Sequence, residues 1–243
     1  MIRSGAGALI YKKGHSDGAV TDLLHQYVRP GMTVLDIGAH IGEFTIVAGH
    51  LVGADGRVIA FEPNAALVEV VRDNVRLNGL AHVHVEPVAL ADTDGDVVLE
   101  VHSEPSISAL LEEGMEQRPR TMTARVSAIT LDAYCSAHQV TPHLIKIDVE
   151  GAELSVLRGA RRLLEQPSEV APMLIVECSD QNYKRFGHTG QELFGMLQDL
   201  GYHTGQWLDG HFVEEALDVV PRTINVIATK SLSALRRSGS PQQ

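Results

Sequence analysis

Three acids and a pair of glycines are the residues along this chain whose types and spacing can do chemistry. In TVLDIGAHIGEFT (33–45), an apolar run ends at Asp36, and Gly38 and Gly42 bracket Ala39, His40 and Ile41. The first glycine can take a tight turn, and the second permits close approach of a helix or a ligand. Such a turn brings backbone amides to a phosphate, to an adenosyl group, or only to the next helix. Glu62 ends the run RVIAFE (57–62), 26 residues after Asp36. A carboxylate placed there can accept hydrogen bonds from both hydroxyls of a ribose. The plain alternative is a solvated strand-end acid before Pro63. In HLIKID (143–148), Leu144, Lys146 and Asp148 share one face of a strand. A lysine inside an otherwise buried strand is costly unless paired, and Asp148 is a reachable partner.

The elements that must position these residues alternate. VTDLLHQYV (20–28) has helical spacing, and Pro30-Gly31 stops it. TVLDI (33–37) reads as a buried strand, GEFTIVAGHLV (42–52) as a helix, and RVIAFE as a second strand. AALVEVVRDNVRLNGL (65–80) is an amphipathic helix with Leu67, Val70, Val71, Val75 and Leu77 mostly on one side, and HVHVEPVAL (82–90) is a third strand. DVVLEVH (96–102) and MTARVSA (122–128) look like strands around a polar segment that contains Ser106 and Ser108 and is expected to close partly over a ligand. The alternation resumes with HLIKID, the helix AELSVLRGARRLL (152–164), the strand APMLIVEC (171–178), the helix GQELFGMLQDLGY (190–202) and the late strand TINVIATK (223–230). This order predicts one doubly wound α/β domain over 20–230, with about six or seven mostly parallel strands and helices on both faces. Residues 1–19 read as an N-terminal arm and 231–243 as a disordered tail.

Composition narrows the function classes. The chain has 243 residues, 44% hydrophobic and 21% charged, ordinary for a globular protein with a sizeable core. A formal net charge of −11 argues against a broad nucleic-acid surface. Cys135 and Cys178, the two cysteines, form no CxxC, so neither a disulfide framework nor a zinc site is suggested, and a reducing cytoplasm is the default expectation. The short apolar run AGALIY (6–11) has its lysines after it, the wrong order for a signal peptide. No stretch approaches the length of a membrane span.

In open α/β sheets, ligands sit beyond the carboxyl ends of the strands, where strand order reverses. Gly38 and Gly42 face that crevice. The turn is GxxxG rather than the GxGxxG of a dinucleotide fold, so a nucleoside site is the stronger reading and a pyrophosphate cradle the weaker. NAD and S-adenosylmethionine both place a ribose against an acid in the position of Glu62.

DIGAHIGEFT (36–45), VIAFEPN (58–64), NVRLNGL (74–80), VALADTDG (88–95) and LIKIDVEGAE (144–153) together resemble the signature run of the FkbM-type S-adenosylmethionine-dependent O-methyltransferases, over residues 28–230. LIKIDVEGAE is the most specific block. The resemblance implies a Rossmann-like class I methyltransferase fold, with a seven-stranded sheet and one antiparallel strand near its end. It implies that Asp36, Gly38, Ala39, His40 and Gly42 form the cofactor turn, that Glu62 and Asn64 flank the ribose, and that Val88 and Ala89 line the adenine, with Glu86 nearby. His40 is read as presenting backbone to the ligand.

Methyl transfer from a sulfonium is an in-line displacement, and positioning alone can supply about 7–11 kcal/mol of its barrier. A sugar or alkyl hydroxyl is a poor nucleophile, so a base or a metal should help. The base candidates are Asp148, Glu177 and His188, with His143 read as structural. Asp148 and Glu177 end strands on the crevice side and can also offer oxygens to Mg²⁺, the less favored arrangement. Glu150 and Glu153 begin a helix, and the helix-dipole account suits Glu153. The acceptor implied is a hydroxyl of a small specialised metabolite or a sugar. The competing readings are an NAD-dependent oxidoreductase, a methyltransferase-like subunit kept for binding, and an RNA methyltransferase, the last opposed by the acidic charge.

Overall fold

A computed structural model describes residues 17–102, 121–217 and 223–236 of the chain. The expected closing segment with Ser106 and Ser108 lies outside these residues. Asp17 caps α1 (Gly18–Tyr27) by accepting the N–H groups of Ala19 and Val20. The first half then alternates through β1 (Thr33–Ile37), α2 (Glu43–Val52), β2 (Arg57–Phe61), α3 (Ala65–Leu77) and β3 (Val83–Glu86). The expected third strand ends at Glu86, and after Pro87 the chain leaves the sheet. Its last residues form β4 (Ala89–Leu90), which joins β5 (Gly95–His102) and β6 (Thr121–Ile129) in a separate three-stranded sheet. β6 leads into α4 (Leu131–His138), capped by Thr130.

The second half runs through β7 (Leu144–Ile147), α5 (Glu153–Gly159), α6 (Arg161–Leu164), β8 (Met173–Cys178), α7 (Asp180–Tyr183), a 3-10 turn at Lys184–Phe186, α8 (Gly190–Asp199), β9 (His203–Leu208), β10 (His211–Glu214), β11 (Ile224–Thr229) and α9 (Leu232–Arg236). The helix expected over 152–164 is divided at Ala160, where φ −107 and ψ 10 leave the helical region. At the other end, the start of the expected tail is α9, and Leu235 is buried with α1 and α2. The described residues thus include Asp17–Ala19 and Ser231–Arg236, which flank the domain expected over 20–230.

Among the described residues the main sheet has eight strands in the order β10-β9-β11-β8-β7-β1-β2-β3. Strands β8, β7, β1, β2 and β3 are mutually parallel. β11 runs antiparallel to both β8 and β9, and β10 pairs antiparallel with β9. This is the expected α/β class with a mostly parallel sheet, and the seven strands β9 to β3 contain the expected antiparallel member. The eighth strand, β10, returns from β9 through a turn at Asp209 (φ 49) and Gly210 (φ 79), left-handed conformations that suit a hairpin. Strand order reverses between β1 and β7, so the crevice lies beyond their carboxyl ends.

Alternate residues of each strand feed two cores, one per face. Leu35, Ile37, Ile145, Ile147, Leu174 and Val176 pack under α4, α5 and α8. Val34, Leu144, Met173 and Ile175 pack under α1 and α2. On this second face the apolar row gives way toward the carboxyl ends to Asp36 and Lys146, which are register partners, and to Glu177. In α3 the buried residues are Val68 and Val71, while Val70 and Leu77 of the expected stripe are exposed.

Candidate active site

The tip of β1 is knitted to β2 and β7 by backbone. The amides of Gly38 and Ala39 both donate to the Phe61 carbonyl, at 2.9 and 3.1 Å. The Asp148 amide donates to Ile37 O at 3.0 Å. Gly38 has φ 82, and a Cβ there would overlap the Asp148 carbonyl. The first glycine is therefore required by contact between two loops of the protein as well as by the turn. Gly42 has φ 85, and a Cβ there would press on Val71 Cγ1 at 3.1 Å. His40, at φ 53, is a non-glycine residue in the left-handed region.

Glu62 folds back onto this turn. Its Oε2 accepts the His40 N–H at 2.8 Å, and its Oε1 accepts the Asn64 N–H at 2.9 Å. Burial raises its carboxyl above the usual range, against the pull of those two amides. Each oxygen keeps a second lone pair, so the residue can brace the turn and still accept from a ribose diol. Asn64 caps α3 through Ala66 N–H, which commits its side chain to the helix.

Beside the turn lies a chain of charges. Asp36 is fully buried, and its Oδ2 accepts the Thr45 hydroxyl at 2.5 Å. Its Oδ1 has no hydrogen-bond partner among the described residues. Burial raises the Asp36 carboxyl, and the neighboring Lys146 ammonium opposes the rise. Asp36 thus ties the end of β1 to the first turn of α2. Lys146 Nζ pairs with Asp148 Oδ2 at 2.8 Å and stands 5.8 Å from the Phe44 ring centroid. Burial pulls Lys146 down, but Asp148, Asp36 and Glu177 together hold it above its ordinary value. The lysine–aspartate pair expected from strand parity is present.

Asp148, Glu150 and Glu177 bring ligand oxygens within 4.8 Å of one another. Burial, then the charges of Asp148 and Glu150, push Glu177 up to about 8, and a hydrogen bond to Asp148 adds to the rise. The two carboxyls are therefore close enough for each to oppose ionisation of the other. Asn182 Nδ2 donates to Glu150 Oε2 at 3.0 Å, and the Tyr183 hydroxyl to Glu177 O at 3.3 Å. The oxygens are of the type a hard cation takes, while Lys146 already supplies a positive charge to the same group.

The expected residues divide into groups. Gly38, Ala39, His40, Gly42 and Glu62 meet at the β1–β2 tips, and Asp148 and Glu177 meet at the β7–β8 tips, joined to the first group by the Gly38–Asp148 contact. Val88 is half-buried against the core under α4 and α5, and Ala89 begins the small sheet. Glu86 accepts the Tyr134 hydroxyl at 2.9 Å. His188 follows the 3-10 turn, half-buried, and is not part of the carboxylate group. His143 Nδ1 accepts the Thr33 amide at 3.0 Å, away from the crevice, in keeping with a structural role. Thr45, Asn182 and Tyr183 escape the sequence reading, and so does the loop-binding behaviour of Glu153. Thr45 alone left a usable signal: it lies three residues into α2, on the helix face toward the sheet.

An open sheet with a glycine turn at its switch point, an acid at the next strand tip and a further carboxyl pair opposite has the Rossmann-like architecture. The chain belongs to the FkbM methyltransferase family, since residues 36–204 match the Methyltransferase FkbM domain. It is 24% identical over 164 residues to Methyltransferase 1 of Beauveria bassiana (strain ARSEF 2860), covering 60% of this chain and 64% of that protein. Among solved structures it is similar to a methyltransferase FkbM from Methylobacillus flagellatus KT, with TM-score 0.48, 18% identity, and coverage of 86% of this chain and 50% of that one. It is also similar to precorrin-6y C5,15-methyltransferase from Geobacter metallireducens GS-15, with TM-score 0.48, 15% identity, and coverage of 89% and 88%. The chain thus spans about two thirds of the curated relative and half of the Methylobacillus protein. No helix among the described residues is long and apolar enough to cross a membrane.

Proposed function

We propose that this protein is an S-adenosylmethionine-dependent O-methyltransferase acting on a hydroxyl of a small specialised metabolite or a sugar. The observation that carries this reading is the Asp148–Glu177 carboxyl pair beside the β1 turn. Asp148 follows β7 on the crevice side, oriented by Lys146 and beside Glu177, and is the oxygen that would accept a proton leaving the substrate hydroxyl. The donor set also suits the cofactor: Glu62 retains lone pairs for a ribose diol, and the carboxylates at the strand tips complement a cationic donor. When bound, S-adenosylmethionine supplies an activated methyl group. The chain's own residues orient the acceptor, take its proton and exclude water. Asp148 joins the cofactor and catalytic groups, Val88 and Ala89 are assigned to the adenine side, and His188 is the reserve base.

Mass spectrometry of the protein as purified tests the cofactor through bound S-adenosylhomocysteine. Calorimetry with NAD and with S-adenosylmethionine separates the oxidoreductase reading, and failure of both to bind supports a non-catalytic subunit. A methyl-labelled donor with a panel of glycosides and polyketides tests the acceptor, and a gel shift with total RNA tests the nucleic-acid alternative. Asp148→Asn is expected to lower transfer by about 10²–10⁴-fold. Undiminished transfer by that variant removes Asp148 as the base. The group Asp148, Glu150 and Glu177 favors a second reading with Mg²⁺, which full activity after exhaustive chelation removes.

A further inference from the structure

Residues 148–151 carry Asp148 and Glu150 to the crevice in a backbone shape the chain does not favor. Glu150 has φ 56 and Gly151 φ 115. A non-glycine residue enters this region seldom and stays only where its surroundings over-determine it. One wall of the loop is evident: a Cβ on Gly151 would meet Asn182 O at 2.7 Å and Phe186 Cδ2 at 2.8 Å. The other is Glu153. This residue opens α5 but is 1% exposed, and it turns back toward the loop. Its Oε1 accepts the Val149 N–H at 3.0 Å and the Gly151 N–H at 3.1 Å, on either side of the strained residue. Its Oε2 has no hydrogen-bond partner among the described residues.

A helix-dipole acid would keep its carboxylate hydrated, so that account does not explain a buried one. We propose that Glu153 is a positioning residue: its two hydrogen bonds clamp residues 148–151 in the turn that sets Asp148 against Lys146 and Glu177. The importance of the clamp to catalysis rests on the proposed function, whereas the clamp itself is a statement about backbone. Burial pushes the Glu153 carboxyl up to about 7 although its own amide and both loop amides pull it down. The fold therefore keeps an acid in a place where an acid is costly, and the two amides are what it serves there.

Hydrogen exchange resolved to single residues tests this. In the native protein the Val149 and Gly151 amides are expected to be protected. Glu153→Gln keeps an acceptor oxygen and should leave their exchange within about twofold of native, whereas Glu153→Met should speed it about tenfold or more, with β1 and β7 amides unchanged. Native-like exchange in Glu153→Met, or exchange in Glu153→Gln as fast as in Glu153→Met, overturns the clamp. If Glu153→Met does not fold, unprotected Val149 and Gly151 amides in the native protein overturn it, and protection retained in Glu153→Gln upholds it. Once an acceptor is in hand, Glu153→Met should lower kcat at unchanged donor KM, and Glu153→Gln should restore it. S-adenosylhomocysteine binding by the native protein, measured on the same samples, reports on the proposed function separately. Loss of that binding leaves the clamp standing, and binding without the exchange pattern removes only the clamp.

Discussion

Lys146 stands between three acids that would otherwise repel one another. Asp36 is its register partner, Asp148 holds its ammonium at 2.8 Å, and Glu177 adds to the field. Removing one partner of a buried pair leaves the others uncompensated and costs about 3–5 kcal/mol. Asp148 is 30% exposed, so the lower end applies. Lys146→Met is therefore expected to lose about 3 kcal/mol in urea denaturation at pH 7, and Asp36→Asn added to it should recover part of the loss. A loss below about 0.5 kcal/mol, the range of ordinary surface changes, contradicts the assignment. The Lys146–Asp148 pair was readable in advance because residues two apart share a strand face. The Asn182–Glu150 contact was not, because it joins loops 32 residues apart whose meeting depends on how β7 and β8 pack. Glu153 is the first-turn acid that the sequence suggests, but its burial and its bonds to Val149 and Gly151 were not legible, because they depend on how the loop folds back.

At the scale of elements, the site depends on how closely β1 and β7 end. Gly38 permits that approach, and a glycine series separates its two demands. Gly31 has φ 85 with nothing within 4 Å of an added Cβ, so Gly31→Ala meets only backbone strain, about 1–2 kcal/mol. Gly38→Ala meets the same strain and also overlaps the Asp148 carbonyl, which is backbone and cannot rotate away. It is expected to cost well over that amount, upward of about 3 kcal/mol, and to abolish S-adenosylhomocysteine binding that Gly31→Ala retains. Equal urea midpoints for the two variants would show that the loops do not touch as described. The strand–helix alternation around these loops was readable because buried parallel strands are apolar runs closed by turn residues. Other elements were not. Leu77 and Val70 fit a helical stripe on paper yet face solvent, since periodicity alone does not say which neighbor covers a face. The β9–β10 hairpin carries a usable Asp209-Gly210 turn signal, but its strands mix polar and apolar residues too evenly for alternation to declare them.

For the molecule as a whole, the acids buried near the crevice set how stability responds to pH. Asp36, Glu62, Glu153 and Glu177 all have carboxyls raised by burial, Glu153 to about 7 and Glu177 to about 8. A raised carboxyl means that the folded state binds a proton the unfolded state has released. Stability from this source is complete below the unfolded value, about 4.3 for Glu, and drains away as pH rises through the folded one. The formal net charge of −11 at pH 7 works in the same direction, because each further ionisation adds to self-repulsion. Many proteins lose stability toward acid as paired carboxylates are protonated. This one is expected to lose it toward mild alkali instead, its melting temperature falling steadily from about pH 5 to about pH 8. Glu153→Gln should lessen the fall up to about pH 7 and Glu177→Gln up to about pH 8, because each removes one ionisation the folded state resists. A melting temperature that holds or climbs over the same interval means that these carboxyls are already ionised in the folded protein. In that case burial does not hold a proton on Glu177, and two ionised carboxylates lie side by side next to Lys146.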